Sequence, residues 1–190
     1  MAAGIREHLR PTIFTVGHSN HPIERFLEPI AMNQIAALAD VRSFPGSRKW
    51  PQFGREALSE SLARAGVEYR WMPELGGRRK SGRALSRHTA WTVAAFRAYA
   101  DYTETTEFDA SIEVLIALAR AKRAAYMCSE GLWWQCHRRL ISDALLVRGW
   151  DVRHILPDGK IVEHALAKFA RIAGGRVIYD VAVADDPPSG

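Results

Sequence analysis

The sequence predicts an α/β fold, a three-layer sandwich in which a mostly parallel sheet is flanked by helices. Short apolar runs alternate along the chain with longer amphipathic stretches, which is the order that strand–helix–strand units produce. The apolar runs are also continuous, as is typical of parallel strands buried on both faces. Because no repeat, low-complexity block or linker interrupts this pattern, we expect residues 1–190 to form a single domain.

Strands are predicted wherever a short apolar run is bounded by turn-forming or polar residues. TIFTVG opens the series, and RVIYDVAV closes it. Between them, IAALADV, VEYRWM, AAYMC and DVRHI have the same character. The predicted strands are 12–17, 35–41, 67–72, 124–128, 151–155 and 176–183.

Helices are predicted where apolar residues recur three and four positions apart. Pro22 suits the first turn of the first helix, and Gly66 and Gly149 end the second and fifth. The turn residues Pro157-Asp158-Gly159 separate the last two strand–helix units. The predicted helices are 22–32, 55–65, 89–103, 109–121, 137–148 and 162–172.

Composition limits the class of protein without identifying a ligand. The net charge of +5 suits an anionic small molecule or a nucleic acid, although such a charge is equally typical of a merely soluble protein. No apolar run approaches the about 20 residues that span a bilayer, and residues 1–12 lack the apolar segment of a secretory signal. We therefore expect a cytoplasmic protein with no membrane association and a disordered tail at 184–190. The sequence indicates neither a cofactor nor an oligomeric state.

Polar clusters follow four of the predicted strands at their carboxyl ends. Because parallel strands end at a common edge of the sheet, we expect these clusters to meet in one cavity. This coincidence is the main sequence evidence for a functional site. The residues expected to converge are His18, Ser19, Asp40, Arg42, Glu74, Cys128 and Glu130.

The residue types at this edge favour an enzyme acting on an anion. Carboxylates supply general acid or base groups, arginines bind carboxylate or phosphate, and a helix N-terminus lowers the pKa of a thiol. The candidate catalytic residues are Cys128, Glu130, Cys136, Asp40 and His18. The candidate substrate-binding residues are Arg42, Ser19, Glu74, His137, Arg138, Arg78 and Arg79.

Each candidate also has a structural interpretation. Cys128 has the character of a small buried apolar residue, Asp40 and Arg42 of an ion pair that holds a loop, and His18 of a helix cap. A tetrahedral zinc site at Cys128, Cys136 and His137, with His18 or Glu130 as the fourth ligand, is the metal alternative. We expect no metal, because no CxxC pair is present and the adjacency of Cys136 and His137 disfavours joint coordination.

A basic segment, GGRRKSGRALSRH (76–88), follows the third predicted strand and contains no acidic residue. Long loops in compact domains are usually functional or mobile. Arg78 and Arg79 within it suit contacts to a phosphate backbone or closure over an anionic ligand. A solvated surface loop is the equal alternative.

The motifs together resemble a known family. TVGHSN (15–20), LADVRSFPGSRKWPQFG (38–54), GVEYRWMPELGGRR (66–79) and MCSEGLWWQCHRRLISDALLVRGWDVRHI (127–155) are similar to the family called domain of unknown function 488, in order over about residues 12–155. The resemblance implies an α/β fold and marks the GHS, DVR, PELGG and CHR positions. It implies no reaction.

A weaker similarity concerns rhodanese-type sulfurtransferases, which also place a cysteine loop between a strand and a helix. The Cys128 loop is longer here and lacks the glycine and arginine pattern of those enzymes. Our leading hypothesis is therefore an enzyme acting on a nucleotide, nucleic acid or phosphorylated metabolite. The alternatives are a non-enzymatic nucleic-acid-binding module with structural or zinc-binding cysteines, and rhodanese-like sulfur transfer.

Overall fold

The computed structural model describes residues 10–46, 48–79 and 85–181. The expected disorder of 184–190 and residues 80–84 of the basic segment therefore fall outside the described residues. The strands are β1 (Thr12–Gly17), β2 (Ala37–Asp40), β3 (Glu68–Trp71), β4 (Ala124–Cys128), β5 (Asp151–Ile155), β6 (Ile161–Glu163), β7 (Arg171–Ala173) and β8 (Arg176–Ile178). The helices are α1 (Ile23–Met32), α2 (Arg55–Arg64), α3 (Ala94–Tyr102), α4 (Thr106–Ala121) and α5 (Arg138–Val147).

Six strands form one sheet in the order β3-β2-β4-β1-β5-β6. The first five are mutually parallel, and β6 pairs with β5 in the antiparallel direction. β1 and β4, in the middle, are almost wholly buried, whereas in β3, at one edge, exposed side chains alternate with half-buried ones. The predicted mostly parallel sheet is thus confirmed, and its apolar runs reflect burial on both faces.

Helices cover both faces of this sheet, as the predicted three-layer arrangement requires. On one face, Phe14, Val16 and Leu38 pack against apolar residues of α1 and α2. On the other face, Ile13 and Tyr126 pack against residues of α3, α4 and α5. The alternation of neighbouring residues between the two cores follows from the two-residue period of a strand.

The connections place a crevice at the ends of β1 and β4. The chain leaves β1 toward α1 on one face, whereas it leaves the adjacent β4 toward α5 on the other face. Two neighbouring strands whose connections diverge in this way leave a gap beyond their carboxyl ends. The strand-end motifs of the sequence lie around this gap.

The predicted helix over 162–172 is wrong. The turn at Pro157–Gly159 reverses the chain, so the next residues form β6 against β5. Farther along, Gly174 and Gly175 adopt positive φ angles of 58° and 73° and join β7 to β8 in a two-residue hairpin. The Gly-Gly pair is the sequence signal for this hairpin, which forms a small separate sheet. The predicted strand 176–183 is confirmed for residues 176–178.

Across 10–46, 48–79 and 85–181, none of the helices combines the length and apolar character that a bilayer crossing demands.

Candidate functional site

A cavity of about 360 Å³ opens at the carboxyl ends of β2 and β4, beside the start of α5. Its wall combines two thiols, an imidazole, two guanidinium groups and a carboxylate with a few apolar side chains. The lining residues are Arg42, Ser43, Phe44, Gly77, Arg78, Ala95, Phe96, Cys128, Ser129, Glu130, Gln135, Cys136 and His137.

The thiol cluster, which consists of Cys128, Cys136 and His137, lies in this cavity. Cys128 ends β4, and the short helical turn Trp133–Gln135 returns the chain so that Cys136 and His137 stand directly before α5. His137 Nδ1 lies 3.4 Å from Cys136 Sγ and 3.8 Å from Cys128 Sγ. Both sulfurs belong to free cysteines, with 8% and 3% exposure for Cys128 and Cys136.

The tautomer of neutral His137 follows from its other nitrogen. His137 Nε2 lies 3.2 Å from the carbonyl oxygen of Val41, which only accepts hydrogen bonds, so Nε2 carries the proton and donates it. In the neutral ring the lone pair is consequently on Nδ1, between the two sulfurs. Nδ1 is therefore the atom that exchanges a proton with a thiol or binds a metal.

The two thiols are not equivalent. Burial opposes ionisation of Cys136, but the hydrogen bond from Cys128 and the nearby charges of His137 and Arg138 outweigh burial and hold the pKa of Cys136 well below its usual value. The hydrogen bond to Cys136, together with burial, raises the pKa of Cys128 well above its usual value. Cys136 is therefore the more acidic thiol of the pair, and Cys128 the less acidic one.

The PELGG motif is explained by close packing against this cluster. A Cβ atom on Gly77 would lie 2.5 Å from His137 Nδ1, so a side chain there would displace the imidazole. A Cβ atom on Gly76 would lie 2.3 Å from Ser43 Oγ. Both glycines are needed because the segment after β3 crosses directly over the loop that follows β2 and over His137.

Asp40 and Arg42 form a buried ion pair, which is the structural interpretation that the sequence offered for these two residues. Arg42 Nε and Nη2 donate to the Asp40 carboxylate at 2.8 Å and 2.6 Å, and the Tyr69 hydroxyl donates to the same carboxylate at 2.7 Å. Asp40 is fully buried and does not line the cavity, whereas Arg42 does. This arrangement favours a role for Asp40 in orienting Arg42.

His18 also lies behind Arg42. Its Nδ1 donates to the Ser19 carbonyl at 2.7 Å, and its Nε2 accepts from Arg42 Nη1 at 3.3 Å. Burial, followed by the charge of Arg42, lowers the pKa of His18 to about 4. His18 stacks on Phe53 with ring centroids 4.1 Å apart, so it is a neutral support of the loop rather than a wall of the cavity.

Arg138 is buried beneath the loop that follows β4. Its guanidinium donates to the Thr15 hydroxyl at 3.1 Å and to the carbonyl oxygen of Glu130, both neutral acceptors. Gly17 makes this possible, since a Cβ atom there would lie 1.8 Å from the Glu130 carbonyl oxygen and 2.8 Å from Arg138 Nη2. Arg138 thus shapes the loop and contributes positive charge near both thiols.

The remaining predicted residues are divided between the cavity and its surroundings. Glu130 and Arg78 line it. Arg79 lies outside it, with its guanidinium 3.6 Å from the centre of the Tyr102 ring. Glu74 is exposed and Ser19 half-buried, and neither lines the cavity. Of the residues predicted to converge, Arg42, Cys128 and Glu130 thus line one cavity, whereas His18, Ser19, Asp40 and Glu74 do not.

Sequence reasoning missed several lining residues, among them Phe44, Phe96 and Gln135. Phe44 and Gln135 stand beside predicted residues, so their position in the motifs was an available signal. Phe96 reaches the cavity from α3, and no local pattern distinguishes it from an ordinary core residue.

Sequence reasoning also missed a second buried group, the carboxylate cluster, which consists of Asp143, His154, His164 and Tyr179. His164 Nε2 and the Tyr179 hydroxyl donate to the two oxygens of Asp143 at 2.8 Å and 2.6 Å. His154 Nε2 lies 3.0 Å from His164 Nδ1, and Trp133 stacks on the His154 ring at 4.0 Å. These residues come from α5, β5 and the C-terminal segment, so only the tertiary structure unites them.

Comparison with known proteins identifies a family for this chain. The family described as Domain of unknown function DUF488 matches residues 22–145, which include α1 to β4, the loop with both cysteines and most of α5. No curated protein and no solved structure matches the chain. Because the match covers more than half of the sequence, the chain belongs to the DUF488 family.

Proposed function

We propose that this protein is an enzyme that acts on a small anionic substrate through thiol chemistry at Cys136. One observation carries the proposal: the Cys136 sulfur and the His137 ring, whose orientation the Val41 carbonyl fixes, face a cavity that Arg42 and Arg78 also line. The same arrangement of a nucleophile, an adjacent base and a group that orients the base is the general mark of nucleophilic catalysis. Here the orienting group is the Val41 carbonyl.

The proposed roles follow from the contacts. Cys136 Sγ is the nucleophile, because its pKa is lowered. His137 Nδ1, 3.4 Å away, exchanges the proton with it. The S–H group of Cys128 stabilises the thiolate as a hydrogen-bond donor. Glu130 is the acid or base for the substrate, because it lines the cavity whereas the Asp40 carboxylate is occupied by Arg42 and Tyr69.

The size and charge of the cavity support a small anionic molecule. About 360 Å³ falls within the range of small-molecule sites, and a concave site suits a compact ligand better than an extended phosphate backbone. Arg42 and Arg78 bring two permanent positive charges to the wall, and the hydroxyls of Ser43 and Ser129 supply hydrogen-bond donors. A nucleotide or phosphorylated metabolite fits this description.

Sulfur transfer is a second candidate, which the presence of a second thiol favours. In that reaction the Cys136 thiolate attacks the sulfane sulfur of a donor. The new Sγ–S bond forms as the donor's bond to sulfur breaks, and the donor leaves with the electron pair. An acceptor nucleophile then takes the terminal sulfur, which restores the thiolate. Cys128, within reach of the same imidazole, is placed to protonate or shield the persulfide.

Alkylation of the reduced protein tests the proposal. Iodoacetate, an anion, and iodoacetamide, its neutral analogue, are compared at graded pH in the wild type and in the Cys136→Ala and Cys128→Ala variants. We expect one fast-reacting thiol that ionises below the usual cysteine range, is lost in Cys136→Ala and becomes less acidic in Cys128→Ala. Two slow thiols with ordinary pH profiles would contradict it.

Two matched variants test whether the cavity prefers anions. Arg78 lines the cavity and Arg79 does not, although they are neighbours with the same charge. We expect Arg78→Gln to reduce the iodoacetate-to-iodoacetamide rate ratio by several-fold and Arg79→Gln to leave it nearly unchanged. If the two substitutions changed the rate ratio equally, the ratio would depend only on the net charge of the protein and not on a charge in the cavity.

A further inference from the structure

We infer that Cys128, Cys136 and His137 form a binding site for one zinc ion whose fourth coordination position faces the cavity. The inference goes beyond the proposed thiol chemistry and does not depend on it, because it needs only the positions of three donor atoms. These three atoms all lie within 4.8 Å of one another. Two thiolates and an imidazole are donors that zinc prefers, unlike the oxygen donors of magnesium or calcium.

The two sulfur-to-nitrogen distances match tetrahedral coordination. Zinc binds sulfur at about 2.3 Å and imidazole nitrogen at about 2.0–2.1 Å, so the tetrahedral angle separates S and N by about 3.6 Å. The two S···N distances here are 3.4 Å and 3.8 Å, one on each side of that value. Each sulfur–nitrogen pair therefore needs only a small shift to share one ion, and the two sulfurs lie within 4.8 Å of each other.

The imidazole is oriented as in known zinc sites. A histidine ligand usually donates its other ring N–H to a carbonyl or carboxylate, which fixes the lone pair toward the metal. His137 does this with the Val41 carbonyl at 3.2 Å, so its Nδ1 lone pair points between the sulfurs. Gly77 leaves the space that this ring orientation needs.

The objection from adjacency in the sequence does not hold in the structure. Cys136 is extended, with φ −133° and ψ 150°, whereas His137 has the helical values φ −55° and ψ −16°. This change of direction at the start of α5 brings Cys136 Sγ and His137 Nδ1 to the same side of the chain. Adjacent residues can thus coordinate one ion here.

The open fourth coordination position determines whether the site is of the catalytic or the structural kind. Three protein ligands with an open position are typical of catalytic zinc, whereas structural zinc is enclosed by four. All three ligands line the same cavity as Glu130 and Arg42, so an anion or water entering the cavity reaches the open position. Bound zinc also occupies both thiols, so zinc and alkylating reagents compete for Cys136.

Direct titration tests the site without any substrate. The reduced full-length protein is stripped with a chelator and titrated with Zn²⁺ against a chromophoric chelator, and with Co²⁺ for its absorption spectrum. We expect one ion per chain, a dissociation constant below about 1 µM, sulfur-to-cobalt charge-transfer bands and the strong d–d bands of tetrahedral cobalt. We also expect zinc to protect Cys136 from iodoacetamide.

Variants identify the ligands. We expect Cys128→Ser, Cys136→Ser and His137→Ala each to weaken zinc binding by more than about 100-fold. Glu74→Gln and His21→Ala, both outside the cavity, serve as controls that retain it. Circular dichroism establishes that each variant is folded, and a variant that is not folded is replaced by Cys128→Ala, Cys136→Ala or His137→Gln.

The outcomes separate this inference from the proposed function. Binding that is weaker than about 100 µM, or that changes less than about threefold in folded His137→Ala, overturns the zinc site. Neither result affects the alkylation test, which is done without metal. Conversely, slow alkylation of metal-free protein contradicts the thiol chemistry and leaves the zinc measurement valid.

Discussion

The protein contains two buried polar clusters that share α5 yet differ in what their polar atoms are available to do. In the carboxylate cluster, both oxygens of Asp143 accept hydrogen bonds from inside the protein, one from His164 and one from Tyr179. In the thiol cluster, the sulfurs and His137 Nδ1 lie in the wall of a cavity. The Asp143 carboxylate is thus satisfied from inside the protein, whereas the thiol cluster is accessible to a ligand. Burial of polar groups therefore indicates function only where a cavity reaches them.

The comparison predicts that loss of the carboxylate cluster affects stability most. We expect Asp143→Leu to lower the free energy of unfolding by about 3–5 kcal/mol, because His164 and Tyr179 lose a buried partner. Tyr179→Phe, which removes one hydrogen bond to the carboxylate, should cost about 1–3 kcal/mol. Urea unfolding followed by circular dichroism measures both. Thiol reactivity per folded molecule should not change, and a loss below 1 kcal/mol in Asp143→Leu would contradict the assignment.

Acid should destabilise the protein partly through His18. Burial and Arg42 lower the pKa of His18 to about 4, whereas the unfolded chain has a histidine pKa near 6.5. The unfolded state therefore binds a proton first, and stability falls as pH decreases from about 6.5 to about 4, by about 3 kcal/mol for this group. The contribution of His18 to stability is fully present once the pH is above the unfolded pKa of about 6.5.

Comparing the unfolding free energies of the wild type and His18→Gln isolates the contribution of His18 to the pH dependence of stability. Other histidines act with the same sign, since burial and His164 lower the pKa of His154 to about 2. We expect the pH dependence of unfolding to be shallower in His18→Gln than in the wild type between pH 4 and 6.5. Parallel curves for the two proteins would show that His18 is protonated equally in both states.

Gly77→Ala should disrupt the geometry of the thiol cluster, and it should lower the free energy of unfolding by less than Asp143→Leu does. The new Cβ atom would lie 2.5 Å from His137 Nδ1, so the ring must move or the loop must shift, at about 1–3 kcal/mol. We expect slower alkylation of Cys136 in the same variant. Gly46→Ala is the matched control, because no atom lies within 4 Å of the Cβ position there. Equal behaviour of the two variants would contradict the close contact.

The smallest effects distinguish two exposed carboxylates. Glu130 lines the cavity and Glu74 does not, so both Glu→Gln substitutions should change unfolding free energy by less than about 0.5 kcal/mol. Only Glu130→Gln should raise the iodoacetate-to-iodoacetamide rate ratio, by about two- to threefold, because it removes a negative charge from the cavity. The two rates are measured in one competition experiment, in which identical ratios would argue against Glu130 at the site.

Most of the fold follows from local sequence patterns, and the exception is informative. Residues 162–172 have the composition of a helix, but pairing with β5 and the Gly174-Gly175 hairpin determine their structure instead. Pairing partners lie outside the segment itself, so local spacing predicts the wrong state there. The five parallel strands and five helices, in contrast, have periodic patterns that their own burial imposes.

The sequence by itself determined the α/β order of elements, the strand-end positions of the candidate residues and the family of the chain. It did so because burial periodicity and turn residues are local properties. The tertiary structure alone decided that Asp40 and His18 support Arg42, that Glu74 stays outside, and that Cys136 and His137 meet Cys128. Those outcomes depend on strand order and on which polar atoms find internal partners, and both are set by contacts between residues far apart in the chain.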